Sequence, residues 1–589
     1  MQLQNLDWTI ILLFFLTFIL IGLFTSKKSG KNSKEYFLSG RNMPWWLLGI
    51  SMVATTFSAD TPNLVTNIVR EKGVSGNWTW WAFLLTGMFT VYLYSKLWRR
   101  SKVLTDLEFY ELRYSGKEAV FLRAFRAIYL GVFFNVIIMA SVCLAGIKIG
   151  GILLGLSPFE CIFYSSLITV LYSTLGGLRS VIYTDLIQFF IAMVGSIWAT
   201  YYIINLEEVG GLGVMLSHSN VIDKLNFFPS SGDMDQLLIV LIIPLAVQWW
   251  AVWYPGAEPG GGGYIAQRML SAKDEKNAIY STLLFNITHY VIRPWPWILI
   301  ALSSLVVFPN LESIATAFPG VDKSIIGNDI AYPAMLSLLP TGLLGLVLAS
   351  LIAAFMSTIS SHLNWGASYI SIDFYKRFIK KNASEKEVVR VGKLSTVILM
   401  ILAGFVSLQL SDSLGAFNIL LQIGAGTGSI FLLRWFWWRV NAYSEITGMI
   451  ISFFVAVYFE WIHESLFDIR LKEYAELLIG VGVTTFSWLL VTILTKPTDD
   501  DKLMEFYKKI KPYGVGWNGF ISKLEIKRIN DKGDSAMRDL FLVFLGVLMV
   551  YFGLFGIGYI LYNQMVIGVV LLILSSISFI ITNYIMSNN

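Results

Sequence analysis

Runs of roughly 20 apolar residues, parted by short polar stretches, recur along the whole chain, and a helix of that length spans a bilayer's hydrocarbon core. The runs fall at residues 7–25, 44–70, 74–98, 121–153, 157–176, 178–204, 235–268, 277–307, 330–375, 390–412, 414–439, 443–462, 473–495, 540–561 and 565–586. They predict an all-α polytopic membrane protein with about fifteen crossings. Composition supports this: 56% of the 589 residues are hydrophobic and only 14% charged, too few to cover a soluble surface. The first run has no small-residue cleavage site before Ser26, Lys27 and Lys28, so it is read as a retained helix rather than a signal peptide.

The polar stretches set an orientation. Lys and Arg cluster in "SKKSGKNSK", "KLWRRSK", "QRMLSAKDEKN" and "KRFIKK", and these alternate with poorly basic loops at 205–234 and 308–329. The positive-inside rule puts the four clusters in the cytoplasm and the amino terminus outside. An odd number of crossings then leaves the carboxyl terminus inside, along with the charge-rich segment 496–539, expected to be a surface loop. The net charge of +5 reports topology rather than nucleic-acid binding. Cys143 and Cys161 lack CxxC spacing, the four His are scattered, and no Walker GxxxxGK[ST] is present, which argues against a metal centre or an ATP-driven pump. No nucleophile elbow or catalytic triad pattern suggests an enzyme.

Two predicted helices are interrupted: 44–70 by "SADTPN" (Ser58 to Asn63) and 235–268 by "PGAEPGGGG" (Pro255 to Gly263). Each opens a set of five helices, 44–204 and 235–439, and an odd number per set inverts the second against the first. Pro and Gly kink many membrane helices, but breaks in matching positions of inverted repeats point to a transporter's midplane site. Unwinding at Ser58 frees carbonyls just before it, including those of Ala54 and Phe57, and hard cations take such oxygens. In "AAFMSTISSHLN", Ala354, Ser357, Thr358 and Ser361 share one helical face, with Ser360 at its edge. Alone, such hydroxyls serve helix packing. A partner for them is Asp185 in "VIYTDLIQFF", where an ionisable residue inside a span marks a role; an ion pair with Arg179 is the competing reading.

The stretches "EYFLSGRNMPWWLLGISMVATTFSADT", "TLGGLRSVIYTDLIQFF", "GYIAQRMLSAKDEKNA" and "AAFMSTISSHLNWGASYISIDFYKRF" resemble, in this order, the sodium:solute symporter family. The resemblance covers about 35–440 and implies a LeuT-type five-plus-five inverted-repeat core with flanking helices. It divides the chain into an extra helix and first loop (1–35), the core (36–440), two further helices (441–495), the loop 496–539 and two terminal helices (540–589). It implies a sodium-coupled secondary active symporter of the cell membrane, importing a small organic solute by alternating access without organic cofactor or nucleic acid. The first sodium would take the carbonyls of Ala54, Phe57 and Ala354 with the hydroxyls of Ser357 and Thr358. A second, seen in some relatives, would take Asp185, Ser357, Ser360 and Ser361. One sodium moving through 100 mV and a tenfold gradient supplies roughly 3.7 kcal/mol, enough to concentrate a neutral solute several hundredfold; two reach roughly 10⁵-fold.

The substrate is less legible. Sugar-transporting relatives carry Glu-Gln where this chain has Asp60, Thr61 and Pro62, and Asn where it has Gly262. Candidate solute contacts are Asp60, Thr61, Glu258, Tyr264 (at an aromatic inner-gate position), His289 and Arg293. Arg293 lies deep in its span and needs a carboxylate, from Asp60, Glu258 or the solute. His289 is one turn before it on the same face. Trp78, Trp80, Trp81, Trp249 and Trp250 could form a stacking wall for a solute, but interfacial anchoring is the preferred reading, and the run "FLLRWFWWRV" is expected as such a belt. The rival classes are a proton-coupled carrier, which would need a carboxylate at the break, and a transporter-like sensor, which would need an output domain. Oligomeric state is left open.

Overall fold

The computed structural model describes residues 3–29, 31–230, 232–251, 258–319, 321, 326–410, 424, 426–469, 471–528 and 534–587. Among these there is no strand, and the one extended pairing is an isolated bridge between Met43 and Ala272. Nine helices frame the candidate sites: α1 (Asn5–Ser29), α2 (Trp45–Thr56), α3 (Thr61–Lys72), α4 (Pro158–Ile204), α5 (Gly263–Ser271), α6 (Glu275–Ile287), α7 (Pro294–Val307), α8 (Leu343–Ser368) and α9 (Asp500–Ile510). Ten helices among the described residues are long and apolar enough to cross a membrane. The other expected spans are shorter or interrupted.

The interruptions have identifiable causes. Residues 157–176 and 178–204 are two helices, labelled together α4, that meet at Gly177, whose φ of +55° and ψ of −156° are not helical. A Cβ there would lie 2.6 Å from the Tyr36 carbonyl, so the backbones meet as only glycine permits. The expected span 330–375 is two pieces. A short helix ends at Leu336, and α8 begins only after Pro340 and Gly342, the latter at φ +85°. The start of α8 is capped from another helix: Asp7 of α1 accepts the amides of Gly342 (2.7 Å) and Gly345 (2.8 Å), two of the donors a helix start leaves unmet. Much of the expected span 414–439, and Pro255 to Ala257 of the second interruption, lie outside the described residues.

Packing centres on α8, which lies along α4 and touches α1, α2 and the helix Glu385–Ser407. Nearly all of its side chains are buried, polar ones included. The helices Ala442–Val457, Glu473–Leu494 and Met565–Ser587 instead keep broad apolar faces exposed, as lipid-facing helices do.

The four basic clusters meet at one end. Arg41 donates to the carbonyls of Lys102 (2.9 Å) and Val103 (2.8 Å), and Arg99 to that of Ala272 (2.7 Å). Glu385 links Ser33 (2.5 Å) to Lys376 (2.8 Å). The segment 496–539 reaches the same end, but it is not a plain surface loop. Its helix α9 buries Leu503, Phe506, Tyr507 and Ile510, an i, i+3, i+4, i+7 stripe that the high charge conceals in the sequence. Lys96 bonds Asp534 and Asp539, each at 2.7 Å, and Arg100 bonds Asp534 at 2.7 Å, so this end is tied to the segment by buried ion pairs.

Candidate functional site

The first interruption is real. Helix α2 stops at Thr56, Phe57 leaves helical geometry at φ −87°, ψ 76°, and α3 starts at Thr61. Phe57 N–H donates to the carbonyls of Val53 (2.9 Å) and Ala54 (3.1 Å), closing the last turn. The next carbonyl, that of Thr55, accepts the Thr358 hydroxyl of α8 at 2.8 Å. The hydroxyl face of α8 therefore abuts the end of the broken helix. The sequence-predicted Ala54, Phe57, Ala354, Ser357 and Thr358 are all buried.

Next to this lies a denser polar centre. Asp185 of α4 is fully buried; one carboxylate oxygen accepts Ser357 (2.6 Å), and the other accepts a short bond from Ser51 and lies 3.4 Å from an Arg268 nitrogen. Arg268 of α5, 0% exposed, also donates to Ser51 (3.1 Å), Thr55 (3.1 Å) and Ser361 (2.6 Å). Thr55 and Ser361 lie 2.8 Å apart. Thus Asp185, Ser357 and Ser361 come together, whereas Ser360 turns back to its own helix at the Ser357 carbonyl (3.1 Å). Arg179 is not the partner of Asp185; it pairs with Glu35 at 3.2 Å, near the basic end.

Sequence reasoning missed Arg268, Ser51 and Thr55. Arg268 ends the expected span 235–268, where it is indistinguishable from the basic loop beyond it. The sequence signals were the i, i+4 spacing of Ser51 and Thr55 on the helix that breaks, and the polar pair Gln267 and Arg268 one turn after the glycine run. In the structure that run lets the backbone come close. Gly260 (φ +86°) would put a Cβ 2.9 Å from the Tyr94 ring, while Trp98 donates to its carbonyl at 2.7 Å. Asp106 then accepts the Gly263 amide (2.9 Å) and the Tyr369 hydroxyl (2.6 Å), fixing the start of α5 and hence the position of Arg268.

A third group stands on the other side of Thr56. Between α6 and α7 the chain makes a π-turn, Thr288–Ile292, of a kind often found at functional positions. It brings His289 and Arg293 to Thr56: Arg293 donates to the Thr56 hydroxyl (3.0 Å) and lies 3.4 Å from His289 Nε2, while His289 Nδ1 is 3.2 Å from the same hydroxyl. Thr56 donates onward to the Val53 carbonyl (2.9 Å). This set is consistent with a neutral His289 carrying its proton on Nδ1 and accepting from Arg293 through Nε2. The Arg293 guanidinium faces Trp297 (5.1 Å) and Phe57 (5.8 Å), and Trp80 lies beside His289 and Tyr290. Along the break and α3, Ser58 Oγ, Asp60 Oδ1, Asn63 Oδ1 and Thr66 Oγ1 are buried and make no well-formed hydrogen bond among the described residues. Polar atoms so placed within a bilayer mark a path for water or a polar solute.

Other expectations do not hold. Glu258 is not near Arg293. It pairs with Arg434 (3.1 Å) and closely with Arg126, far along the second interruption. Tyr264, expected at an inner-gate position, is buried beside Arg268 and His362. Trp78 and Trp81 are buried inside the bundle rather than exposed on its outer surface, as is Trp435 of "FLLRWFWWRV", whose ring sits 4.9 Å from that of Trp98. Burial of aromatics inside a large bundle and anchoring at its rim leave the same mark in a sequence.

Known proteins resemble this chain in sequence and in fold. The model of the sodium:solute symporter family matches residues 36–452. A sodium/glucose cotransporter of Vibrio parahaemolyticus is 26% identical over 505 residues, covering 82% of this chain and 89% of that protein. The mouse sodium/glucose cotransporter 1 is 28% identical over 495 residues, covering 77% and 71%. A solved structure of a Na⁺-coupled sialic acid symporter, substrate-bound and outward-open, superposes with a TM-score of 0.66 at 20% identity, over 84% of this chain and 99% of that one. The fold is therefore the LeuT-type fold of that symporter, built here into an all-helical polytopic protein.

Proposed function

The chain belongs to the sodium:solute symporter family, and from this premise we propose that it imports a small organic solute across the cell membrane with two sodium ions. It is a sodium-coupled symporter and not an enzyme. The observation that carries the ion-site reading is the bond from Thr358 to the Thr55 carbonyl at the point where α2 breaks, because it brings hydroxyl and carbonyl oxygens to one place. The first sodium is assigned to Ala54, Phe57, Ala354, Ser357 and Thr358. The second is assigned to Asp185 with Ser357 and Ser361, with Ser360 reaching it only after leaving the Ser357 carbonyl. The repeats are 44–204 and 235–439, and access alternates as one helix group rocks against the other.

Two measurements test the core of this. Purified protein is expected to melt at a higher temperature in sodium than in potassium, since a ligand bound only by the folded state stabilises it by mass action. The same protein in liposomes is expected to take up solute only with an inward sodium gradient. No sodium effect on folded protein, with uptake following a proton gradient instead, would select the proton-coupled reading.

The orientation proposed is amino terminus outside and carboxyl terminus in the cytoplasm, supported by the meeting of all four basic clusters at one end. A membrane-impermeant thiol reagent added to intact cells should label Ser217→Cys, in the poorly basic loop, and spare Ser522→Cys. The opposite pattern would invert the assignment.

A further inference from the structure

Arg293 is 2% exposed, and among the described residues its hydrogen-bond partners are neutral. Two guanidinium nitrogens meet Thr56 (3.0 Å) and His289 (3.4 Å), and Nε has no partner. Neither internal carboxylate expected as its partner bonds the guanidinium directly. Glu258 is committed to Arg126 and Arg434. Asp60, four residues beyond Thr56 on the broken helix, lies within electrostatic reach of Arg293 but makes no direct ion pair with it, and among the described residues its Oδ1 accepts no well-formed hydrogen bond. A guanidinium offers donors only, in a planar fork that matches a carboxylate. A neutral polyol would leave its charge met only at a distance, by Asp60, whereas a carboxylate would meet it with charge-assisted, two-point bonding.

The setting favours an incoming group over a structural one. The π-turn Thr288–Ile292 and the imino residues Pro294 and Pro296 interrupt the regular ladder on both sides of Arg293. The guanidinium thus stands at the break in α2 and α3, within one residue of the Thr55 carbonyl that meets Thr358, so a bound anion would lie close to the proposed sodium. The buried polar atoms of Ser58, Asn63 and Thr66 continue from that point along α3. Trp80, Tyr290 and Trp297 supply apolar faces around it.

We propose that the transported solute carries a carboxylate and that Arg293, backed by His289 and Thr56, receives it. This rests on the chain being a sodium-driven symporter and narrows the class of solute.

The test uses purified full-length protein in detergent, in sodium and in potassium, with D-glucose, D-glucuronate, pyruvate and L-proline as probes. D-Glucuronate differs from D-glucose by a carboxylate at one end of the same ring. Melting temperature is expected to rise with at least one carboxylate in sodium, and D-glucuronate is expected to outdo D-glucose. Arg293→Gln should weaken the responding carboxylate roughly 30-fold or more while the sodium-only rise persists. Arg293→Lys, which keeps the charge without the fork, should fall between the two and guards against a folding failure in the first variant. A glucose response equal to or above that of the carboxylates would overturn the proposal. So would silence from every carboxylate, or unchanged affinity in Arg293→Gln. If Asp60 is the true partner, Asp60→Asn will lower the solute-free melting temperature as far as Arg293→Gln does, which also overturns it. Loss of the sodium rise in the unmodified protein is a separate outcome, and it would count against the symporter reading itself.

Discussion

Thr358→Ala is expected to suppress sodium-driven uptake at the sodium concentrations that saturate the parent, while the protein stays folded. The hydroxyl lies 2.8 Å from the Thr55 carbonyl, so it joins α8 to the last turn of α2 where the helix gives way. In this structure it satisfies that carbonyl, and losing this one bond costs about 1 kcal/mol of stability. The consequence for an ion is larger. A small cation bound by a handful of oxygens loses one of them outright, and even outer-shell partners of metal sites are worth roughly 10- to 100-fold in affinity. The sodium concentration for half-maximal uptake should therefore rise by at least that factor, and the melting-temperature gain in sodium should vanish, with the potassium value within a few degrees of the parent's. Ser357→Ala should act in the same direction and also free one oxygen of Asp185. Unchanged sodium affinity in both variants would remove the ion from this place.

How much of the fold and site was legible depends on the kind of signal each feature leaves. The break at Ser58 and the hydroxyl face of α8 were readable because both are local: a non-helical composition in an apolar run, and a spacing of three and four. Asp185 was readable as a charge in the wrong solvent. Its partner was not. Arg268 follows nine residues after Pro259 on a short half-helix, and nothing local distinguishes a basic residue ending a span from one turned back into the bundle. The same ambiguity hid Arg434 and Trp435, read as a membrane rim and found in the core. Glu258 and Arg293 looked like natural partners because each was a lone charge near a presumed site, but pairing is decided by three-dimensional neighbours, and Arg126 and Arg434 are closer. The stripe of α9 was legible in principle; its charged neighbours masked a spacing that the composition alone does not report.

Asp185→Asn is expected to be the most destabilising of the substitutions considered, and to lower the Hill coefficient for sodium toward one. Asp185 and Arg268 are both fully enclosed, and each is the other's only opposite charge among the described residues. Removing one charge of a buried pair leaves the other unbalanced, at a cost of about 3–5 kcal/mol, so the melting temperature should fall by many degrees in potassium. Arg268→Gln alone should do the same. The two together should recover most of the loss, because replacing both members of a buried pair removes the unbalanced charge. Sodium separates the structural role from the ionic one. In this arrangement the Asp185 oxygens are occupied by Ser51, Ser357 and Arg268, so a second sodium can reach them only as the guanidinium withdraws. One cation then replaces another at one carboxylate, which keeps the buried charge balanced throughout. It follows that the double variant, though stable, should bind a single sodium. A double variant that keeps a Hill coefficient near two would leave Asp185 and Arg268 as a structural pair and return the second ion to some other place.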